Sequence, residues 1–251
     1  MKIAFLDSGI GGLSVLKEAY QLLPNEDYIY YADSKNAPYG SKTKQKIREH
    51  VLGAVDFLVD FDIKMLVVAC NTATSAVIDD LRIKYSFPII GMEPAIKPAI
   101  KQSNGRRVLV LATTFTAAGG PLSRLITQLG ASDSTDVLAL DKLVKFAEDF
   151  DFDSPEAEEY IQSELKDIKT EDYGAVVLGC THFIFYKPII EKIFPDSDVV
   201  DGNIGTAKNM INILKKEDII QKQGEGSLTF YSSGAKESEE KSEKLKNMVI
   251  T

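Results

Sequence analysis

The chain has 251 residues, of which 44% are hydrophobic and 26% are charged, and its formal net charge is −8 at pH 7. This length and composition are typical of a globular protein built as one large domain or two smaller ones. The negative charge argues against nucleic acid or an anionic membrane as a partner, because both require a basic surface. No apolar stretch reaches the roughly 20 residues of a membrane span, and the first strand leaves no room for a signal peptide, so we expect a cytoplasmic protein.

Short apolar strands alternate with amphipathic helical stretches along the chain, which predicts an α/β fold with mostly parallel sheets. The predicted strands are Lys2–Leu6, Asp27–Ala32, Met65–Ala69, Pro88–Met92, Arg107–Ala112, Asp136–Leu140, Ala175–Leu178, Asp198–Asp201 and, late in the chain, Ser227–Ser232. Helices are predicted between the strands and include Gly12–Leu23, Lys42–Asp60, Thr74–Lys84, Phe115–Leu129, Pro155–Ile168 and Thr206–Lys215. The charge-rich tail from Lys236 is predicted to be a solvated helix without a specific role.

The chain also carries an internal repeat that is weak in identity but clear in layout. The strand that ends at Asp7 resembles the strand that leads into Thr113. A cysteine follows Asp7 by 63 residues, and another follows Thr113 by 67 residues. This spacing predicts two similar α/β halves with a switch near residues 94–105, and chance similarity between two βαβ units is the competing interpretation.

Both cysteines of the chain follow an apolar strand and precede small polar residues. Cys70 leads into Asn71 and Thr72, and Cys180 leads into Thr181 and His182. A thiol at the carboxyl end of a parallel strand faces the crevice in which open α/β sheets bind ligands. The pair therefore predicts two thiols facing one substrate, whereas a single such cysteine is more often an ordinary buried residue. Two cysteines and two histidines are too few for a convincing structural zinc site, so no metal is expected.

Two loops add polar groups near these strand ends. The loop Asp7–Gly12 follows the first strand and opens a helix, so its amides can hold a carboxylate or phosphate, or its glycines serve only helix packing. The turn at residues 37–42 offers Tyr39 and the Gly40 backbone to a small molecule, or is a plain surface turn.

Five side chains near the cysteines have two possible roles. Asn71, Thr72 and Thr181 are short hydrogen-bonding residues that either contact substrate or cap a helix. A lone histidine is usually structural, but beside Cys180 the imidazole of His182 becomes a candidate proton-transfer partner. Asp7 is the matching candidate beside Cys70, where it accepts a proton or orients a substrate ammonium group.

Four motifs, in this order and spacing, carry a resemblance to a known family: Asp-Ser-Gly-Ile-Gly-Gly, Ala-Pro-Tyr-Gly, Ala-Cys-Asn-Thr-Ala and Gly-Cys-Thr-His. From Lys2 to about Asn209, the chain resembles the cofactor-independent glutamate racemases of the aspartate/glutamate racemase family. The resemblance implies interconversion of L- and D-glutamate without a cofactor, supply of D-glutamate for peptidoglycan, and a homodimer.

The same resemblance implies roles for individual residues. Cys70 and Cys180 are then the two acid/base residues, and Asp7 and His182 are their auxiliaries. The substrate-contacting set that it implies is Asp7, Ser8, Tyr39, Gly40, Asn71, Thr72, Thr181 and His182. It also implies two three-layer α/β domains in pseudo-twofold relation, with the active site in the cleft between them. The expected domains are residues 1–97 with 208–251, and residues 98–207.

The chemistry of inversion agrees with two opposed thiols. One face of the α-carbon loses a proton while the other gains one, and an ordinary cysteine pKa of about 8.5 allows both thiol and thiolate near neutrality. The alternatives are an aspartate racemase, or a related two-cysteine isomerase or decarboxylase acting on another acidic substrate. A catalytically silent amino-acid-binding regulator is disfavoured, because both thiols and both auxiliaries are present.

Two segments depart from the family pattern. Phe183-Ile184-Phe185 stands where the family usually has Tyr-Pro-Leu after its histidine. Residues 140–148 lack the family's Cys-Pro, and only Glu148 matches a family glutamate, loosely. Both departures leave the thiols untouched.

Overall fold

The computed structural model describes residues 1–250, which divide into two compact units. Unit 1 comprises Met1–Met92 and the chain from Asn203 onward, and unit 2 comprises Glu93–Gly202. The division falls a few residues before the domain limits expected at residues 97 and 207. Met92 belongs with unit 1 because its amide donates to the carbonyl of Val68, 3.0 Å away, and so extends the first sheet.

The strands and helices follow the alternation expected from the sequence. The strands are β1 Lys2–Asp7, β2 Asp27–Ala32, β3 Ile63–Val68, β4 Ile89–Gly91, β5 Arg107–Ala112, β6 Thr135–Ala139, β7 Tyr173–Leu178, β8 Asp198–Asp201, β9 Ser227–Ser232 and β10 Ala235–Lys236. The α-helices are α1 Leu13–Leu22, α2 Lys44–Val59, α3 Asn71–Lys84, α4 Ile96–Gln102, α5 Thr114–Ala118, α6 Gly120–Gln128, α7 Lys142–Glu148, α8 Pro155–Leu165, α9 Lys187–Ile193, α10 Asn203–Lys216 and α11 Glu239–Ile250. Short 3₁₀ segments include Ser34–Asn36, Tyr39–Ser41 and Thr181–Tyr186.

Each unit has one sheet, and the two sheets share a strand order. Within the described residues, the sheet of unit 1 runs β10-β9-β2-β1-β3-β4, and the sheet of unit 2 runs β6-β5-β7-β8. Neighbouring strands in these sheets run parallel, except for the antiparallel pair of β9 and β10. The order β2-β1-β3-β4 therefore matches β6-β5-β7-β8 strand for strand. The pairing of β1 with β3 shifts register after Lys2, and the pairing of β5 with β7 shifts at the corresponding place, after Arg107. The predicted internal repeat is present in the fold.

Apolar strands form the centre of both units because helices cover them on both faces. All six residues of β3 and all six of β7 are buried. In unit 2, Leu109 and Leu111 pack on one side with residues of α7, α8 and α9, whereas Val108 and Val110 pack on the other side with residues of α4 and α6. Unit 2 is thus a three-layer α/β arrangement, and its strand ends carry the loops that position side chains.

Three differences between the predicted elements and the structure bear on the fold. The helix expected over residues 115–129 is interrupted at Gly119, because a proline cannot continue a helix and Pro121 instead stands in the first turn of α6. The helix expected from Thr74 begins at Asn71, directly after Cys70. The tail is not merely a solvated helix: α11 packs against α1 and β9 and buries Leu245 and Val249.

Among residues 1–250, no helix combines the length and the apolar character needed to cross a membrane.

Candidate active site

The residues predicted from the sequence fall into two groups, one in each unit. We call the group in unit 1 the Cys70 half-site; it contains Asp7, Ser8, Tyr39, Gly40, Cys70, Asn71 and Thr72. We call the group in unit 2 the Cys180 half-site; it contains Cys180, Thr181 and His182. Both cysteines are buried, and they do not form a disulfide.

Cys70 occupies the junction between a strand and a helix. The amide of Ala69 donates to the carbonyl of Leu6 at 2.8 Å, so β3 remains joined to β1 up to this point. Cys70 is the N-cap of α3, and its Sγ accepts a hydrogen bond from the amide of Ala73 at 3.4 Å. Amides at a helix N-terminus favour negative charge, so this position stabilises a thiolate.

Asp7 lies beside this thiol and is completely buried at the end of β1. Its Oδ1 accepts from the amide of Ser8 at 2.6 Å, and its Oδ2 accepts from the amide of Gly12. The hydroxyl of Ser8 donates to Asp7 Oδ1 at 3.3 Å and lies 3.8 Å from Cys70 Sγ. The anion that the loop amides hold is therefore the Asp7 carboxylate itself, and Ser8 connects it to the thiol.

Gly12 shows why this loop needs a glycine. A Cβ at position 12 would lie 2.8 Å from the Cβ of Ala69 and 2.9 Å from the side chain of Asp7. Any larger residue would push α1 away from the strand end. The close approach lets the Gly12 amide reach the carboxylate, so the glycine serves packing and site geometry together.

Tyr39 and Gly40 form a buried part of the Cys70 half-site and not a plain surface turn. The hydroxyl of Tyr39 donates to Asp33 Oδ2 at 2.6 Å. Burial and the neighbouring Asp33 raise the pKa of Tyr39, with further contributions from Cys70 and Asp7. The phenol therefore stays neutral and acts as a donor, and Asp33 also accepts from Asn36 and from Ser233 of the late turn.

Asn71 and Thr72 lie in the first turn of α3, and neither is its N-cap, because Cys70 takes that position. The Nδ2 of Asn71 donates to the carbonyl of Met92 at 3.4 Å. Among the described residues, its buried Oδ1 has no hydrogen-bond partner. Buried acceptors are rarely left unsatisfied, so this oxygen is suited to accept from a bound molecule.

Cys180 stands at the corresponding strand end of unit 2. The amide of Gly179 donates to the carbonyl of Leu111 at 2.7 Å, as Ala69 does to Leu6 in unit 1. The 3₁₀ segment Thr181–Tyr186 begins directly after Cys180, and Thr181 is buried in its first turn. The Sγ of Cys180 lies 3.8 Å from Nδ1 of His182.

Glu148 holds the other side of this imidazole. Its Oε1 lies 2.7 Å from Nε2 of His182, whose ring is almost completely buried. No role for Glu148 follows from the sequence alone, because its contact with His182 depends on the packing of α7 against the 3₁₀ segment. The loose match to a family glutamate was the one signal that pointed to it.

The matching registers of the two sheets relate residues of the two half-sites. Asp7, which follows Leu6 in β1, corresponds to Ala112 in β5, and Ser8 corresponds to Thr113. Thr113 is buried and was not among the predicted residues. The Cys180 half-site thus has no carboxylate at the end of its central strand, and His182 with Glu148 provides the polar group there.

Each half-site therefore combines a buried thiol with groups that can stabilise or exchange a proton. Within residues 1–250, no three His, Cys, Asp or Glu side chains are grouped so that they could hold a metal ion. The chemistry available to each half-site is removal of a proton by a thiolate, or delivery of one by a thiol.

Comparison with known proteins identifies relatives over most of the chain. The model of the Asp/Glu/Hydantoin racemase family matches residues 13–209. The glutamate racemase of Halothermothrix orenii is 48% identical over 239 residues, which are 94% of this chain and 94% of that protein. Glutamate racemase 2 of Bacillus subtilis is also 48% identical over 239 residues, covering 94% of this chain and 90% of the relative.

Solved structures show the same likeness. The crystal structure of glutamate racemase isoform RacE1 from Bacillus anthracis superposes with a TM-score of 0.84 at 29% identity. The match covers 92% of this chain and 88% of the other.

Proposed function

The chain belongs to the Asp/Glu/Hydantoin racemase family, and we propose that it interconverts L- and D-glutamate by a two-base mechanism that needs no cofactor. Its curated relatives at 48% identity are glutamate racemases, and they match it over nearly their whole length. The protein is therefore an isomerase of the racemase type. The observation that carries the mechanism is the repetition of a buried thiol directly after β3 in unit 1 and after β7 in unit 2.

The reaction breaks the bond between the α-carbon and its hydrogen on one face and forms a new one on the other. One cysteine enters as thiolate and takes the α-proton, and the electron pair of that bond remains on the substrate. The other cysteine enters as thiol and gives its proton to the opposite face. The roles exchange for the opposite enantiomer, which is why two similar groups serve better than one.

In the Cys70 half-site, we assign the acid/base role to Cys70 and the auxiliary role to Asp7. The amide of Ala73 supports the thiolate form of Cys70. Asp7 is held by two loop amides and reaches the thiol through Ser8, so it is placed to accept a proton or to orient the substrate ammonium. Its buried carboxylate does not favour a neighbouring thiolate by charge.

In the Cys180 half-site, we assign the acid/base role to Cys180 and the auxiliary role to His182. The Nδ1 atom of His182 faces the thiol, and Nε2 faces Glu148. Glu148 orients the ring and stabilises the imidazolium that forms when His182 takes a proton.

The remaining residues of the half-sites bind the substrate in this proposal. The unpartnered Oδ1 of Asn71 accepts from the substrate ammonium, since it is the acceptor left unsatisfied. Hydroxyls of Thr72 and Thr181 and the backbone at Tyr39 and Gly40 donate to the carboxylates. The hydroxyl of Ser8 gives its proton to Asp7, so Ser8 contacts the substrate ammonium as an acceptor. Donors aimed at the carboxylate stabilise the negative charge that develops as the α-proton leaves.

Exchange of the α-hydrogen with deuterated solvent tests the two-base assignment. We expect Cys70→Ser and Cys180→Ser to lower racemisation by roughly 10²- to 10⁴-fold or more, because each removes one acid/base group. Each variant keeps one thiol, so each exchanges the α-hydrogen of one enantiomer only, and the enantiomer differs between the two. Native circular dichroism of both variants is the control. Two-way racemisation by either variant at the native rate would overturn the assignment.

The same assay tests the substrate and the absence of a cofactor. We expect glutamate to turn over without added metal or pyridoxal phosphate, and faster than aspartate. Faster turnover of aspartate would reject the glutamate assignment, and dependence on pyridoxal phosphate would reject the cofactor-free mechanism.

Three wider statements belong to the proposal. We place the enzyme in the cytoplasm, where glutathione keeps both functional thiols reduced, and we expect a homodimer that supplies D-glutamate for peptidoglycan. Light scattering that gives the mass of one chain at micromolar concentration would exclude the dimer. Normal peptidoglycan in cells that depend on this gene alone, after its depletion, would exclude the cell-wall role.

A further inference from the structure

Tyr186 ends the 3₁₀ segment that carries His182, and its side chain is completely buried. Its hydroxyl lies 2.8 Å from the carbonyl oxygen of Asp151 and 3.2 Å from that of Leu143. A phenol has one proton to donate, so the two carbonyls share it and the shorter contact is to Asp151.

These two carbonyls lie on either side of Glu148 in the chain. Leu143 belongs to the first turn of α7, and Asp151 follows the end of the same helix. Two contacts therefore join the 3₁₀ segment to the α7 region: His182 with Glu148, and Tyr186 with the backbone before and after Glu148.

The chain after Glu148 is under backbone strain. Phe150 has φ of 57°, in the left-handed region that a bulky side chain rarely adopts. Such a conformation persists only where its surroundings hold it in place. The amide of Asp151 donates to the carbonyl of Phe146 at 2.9 Å, and the Tyr186 hydroxyl holds the carbonyl of the same Asp151.

Burial, with a contribution from Asp151, raises the pKa of Tyr186. The phenol therefore keeps its proton and remains a donor at neutral pH.

We propose that Tyr186 is a positioning residue for the Cys180 half-site: its hydroxyl fixes the backbone on both sides of Glu148, and thereby keeps the carboxylate against His182. The role in catalysis rests on the proposed function, whereas the effect on His182 does not. The imidazole contacts Cys180 through Nδ1 and Glu148 through Nε2. If Glu148 is held less firmly, its carboxylate moves away from the imidazole and stabilises the protonated ring less. The pKa of His182 then falls, and the orientation of the ring toward Cys180 becomes less defined.

Tyr186→Phe removes the hydroxyl and keeps the buried ring. Tyr173→Phe is the matched control, because Tyr173 also lies in unit 2 and its hydroxyl donates to Asp136 Oδ2 at 2.7 Å, at the opposite end of β7 from Cys180. The chain has only two histidines, so nuclear magnetic resonance can follow the titration of His182 with His50 as internal reference. A His50→Gln variant assigns the two signals.

We expect the pKa of His182 to fall in Tyr186→Phe and to stay at the native value in Tyr173→Phe, with His50 unchanged in both. We also expect kcat to fall on the order of tenfold in Tyr186→Phe, below the 10²-fold that a 1 Å misplacement of a catalytic group can cost. The primary isotope effect with α-deuterated glutamate rises only in the direction limited by Cys180.

An unchanged His182 titration in Tyr186→Phe would overturn the proposal. An equal change in Tyr173→Phe would also overturn it, since the effect would then be general loosening of unit 2. If native protein shows no racemisation, the proposed function fails, and the titrations still decide whether Tyr186 positions His182.

Discussion

The two thiols stand at matching strand ends but have different neighbours. Cys70 accepts from the Ala73 amide at the start of an α-helix and contacts Ser8, which binds Asp7. Cys180 directly precedes a 3₁₀ segment and faces the imidazole of His182. The two similar backbones therefore place different proton-transfer groups beside the two thiols. The strand registers explain this difference, because Ala112 in unit 2 occupies the position that Asp7 occupies in unit 1.

This difference predicts separate effects of the two auxiliaries. We expect Asp7→Asn and His182→Asn each to slow kcat by roughly 10²- to 10⁴-fold, as is typical of a positioned proton-transfer group. Because equilibrium fixes the ratio of kcat/KM between directions, the asymmetry appears in kcat and KM separately, or in isotope effects. Primary isotope effects with α-deuterated D- and L-glutamate measure it.

We expect Asp7→Asn to increase the isotope effect in one direction of the reaction and His182→Asn to increase it in the other direction. If both variants change both isotope effects alike, Asp7 and His182 are general substrate-positioning groups and the pairing of auxiliaries with thiols is wrong.

The late elements β9, β10 and α11 complete unit 1, although about 200 residues of sequence separate them from the elements that they support. Strand β9 pairs with β2, and the following turn places Ser233 against Asp33, the acceptor of the Tyr39 hydroxyl. Helix α11 packs on α1, which begins directly after the Asp7–Gly12 loop. Residues late in the chain therefore contact the elements that hold Tyr39 and the Asp7–Gly12 loop in the Cys70 half-site.

Truncation of Leu245 tests the contribution of α11. We expect Leu245→Ala to lower the free energy of unfolding by about 2 to 5 kcal/mol, the cost of removing a fully buried leucine side chain. Lys246→Ala, at the neighbouring exposed position, is the control and should change it by less than about 0.5 kcal/mol. Urea unfolding measures both. Equal stability of the two variants would mean that α11 is only a solvated tail.

The whole molecule buries several tyrosines, and this makes its stability sensitive to alkali. Burial is the main cause that raises the pKa of Tyr28, Tyr39 and Tyr186 above the ordinary value of 10.0, and it raises the pKa of Tyr31 to about 12. In the unfolded chain these phenols ionise near pH 10, whereas in the folded chain they keep their protons. A raised folded pKa contributes stability that is complete below the unfolded pKa and is lost as pH rises above it.

We therefore expect the tyrosines to make no contribution to the pH dependence of the free energy of unfolding near neutral pH, and to lower this free energy above pH 10. Each fully buried tyrosine contributes about 1.4 kcal/mol per pH unit to the fall. Urea unfolding at a series of pH values measures it, and the ultraviolet absorbance of tyrosinate shows when the phenols ionise. Ionisation of all ten tyrosines near pH 10 in a still-folded protein would contradict the expectation.

The sequence by itself was sufficient where a property depends on neighbours in the chain. Strands such as Arg107–Ala112 and Ser227–Ser232 were predicted with their observed limits, because a run of apolar residues specifies a buried strand locally. The placement of Cys70 and Cys180 at strand ends, and the family, also followed from local motifs. The break at Gly119 was missed, although Pro121 was visible, because the amphipathic pattern continues across it.

Only the tertiary structure decided the contacts between segments that are distant in the chain. Glu148 lies 34 residues before His182, Ser233 lies 200 residues after Asp33, and Leu245 is buried against a helix at the other end of the chain. No local pattern encodes such pairs, because each depends on how helices and strands pack after they form. The position of a thiol is thus a property of its strand, whereas the groups that control its proton are set by the packing of the whole unit.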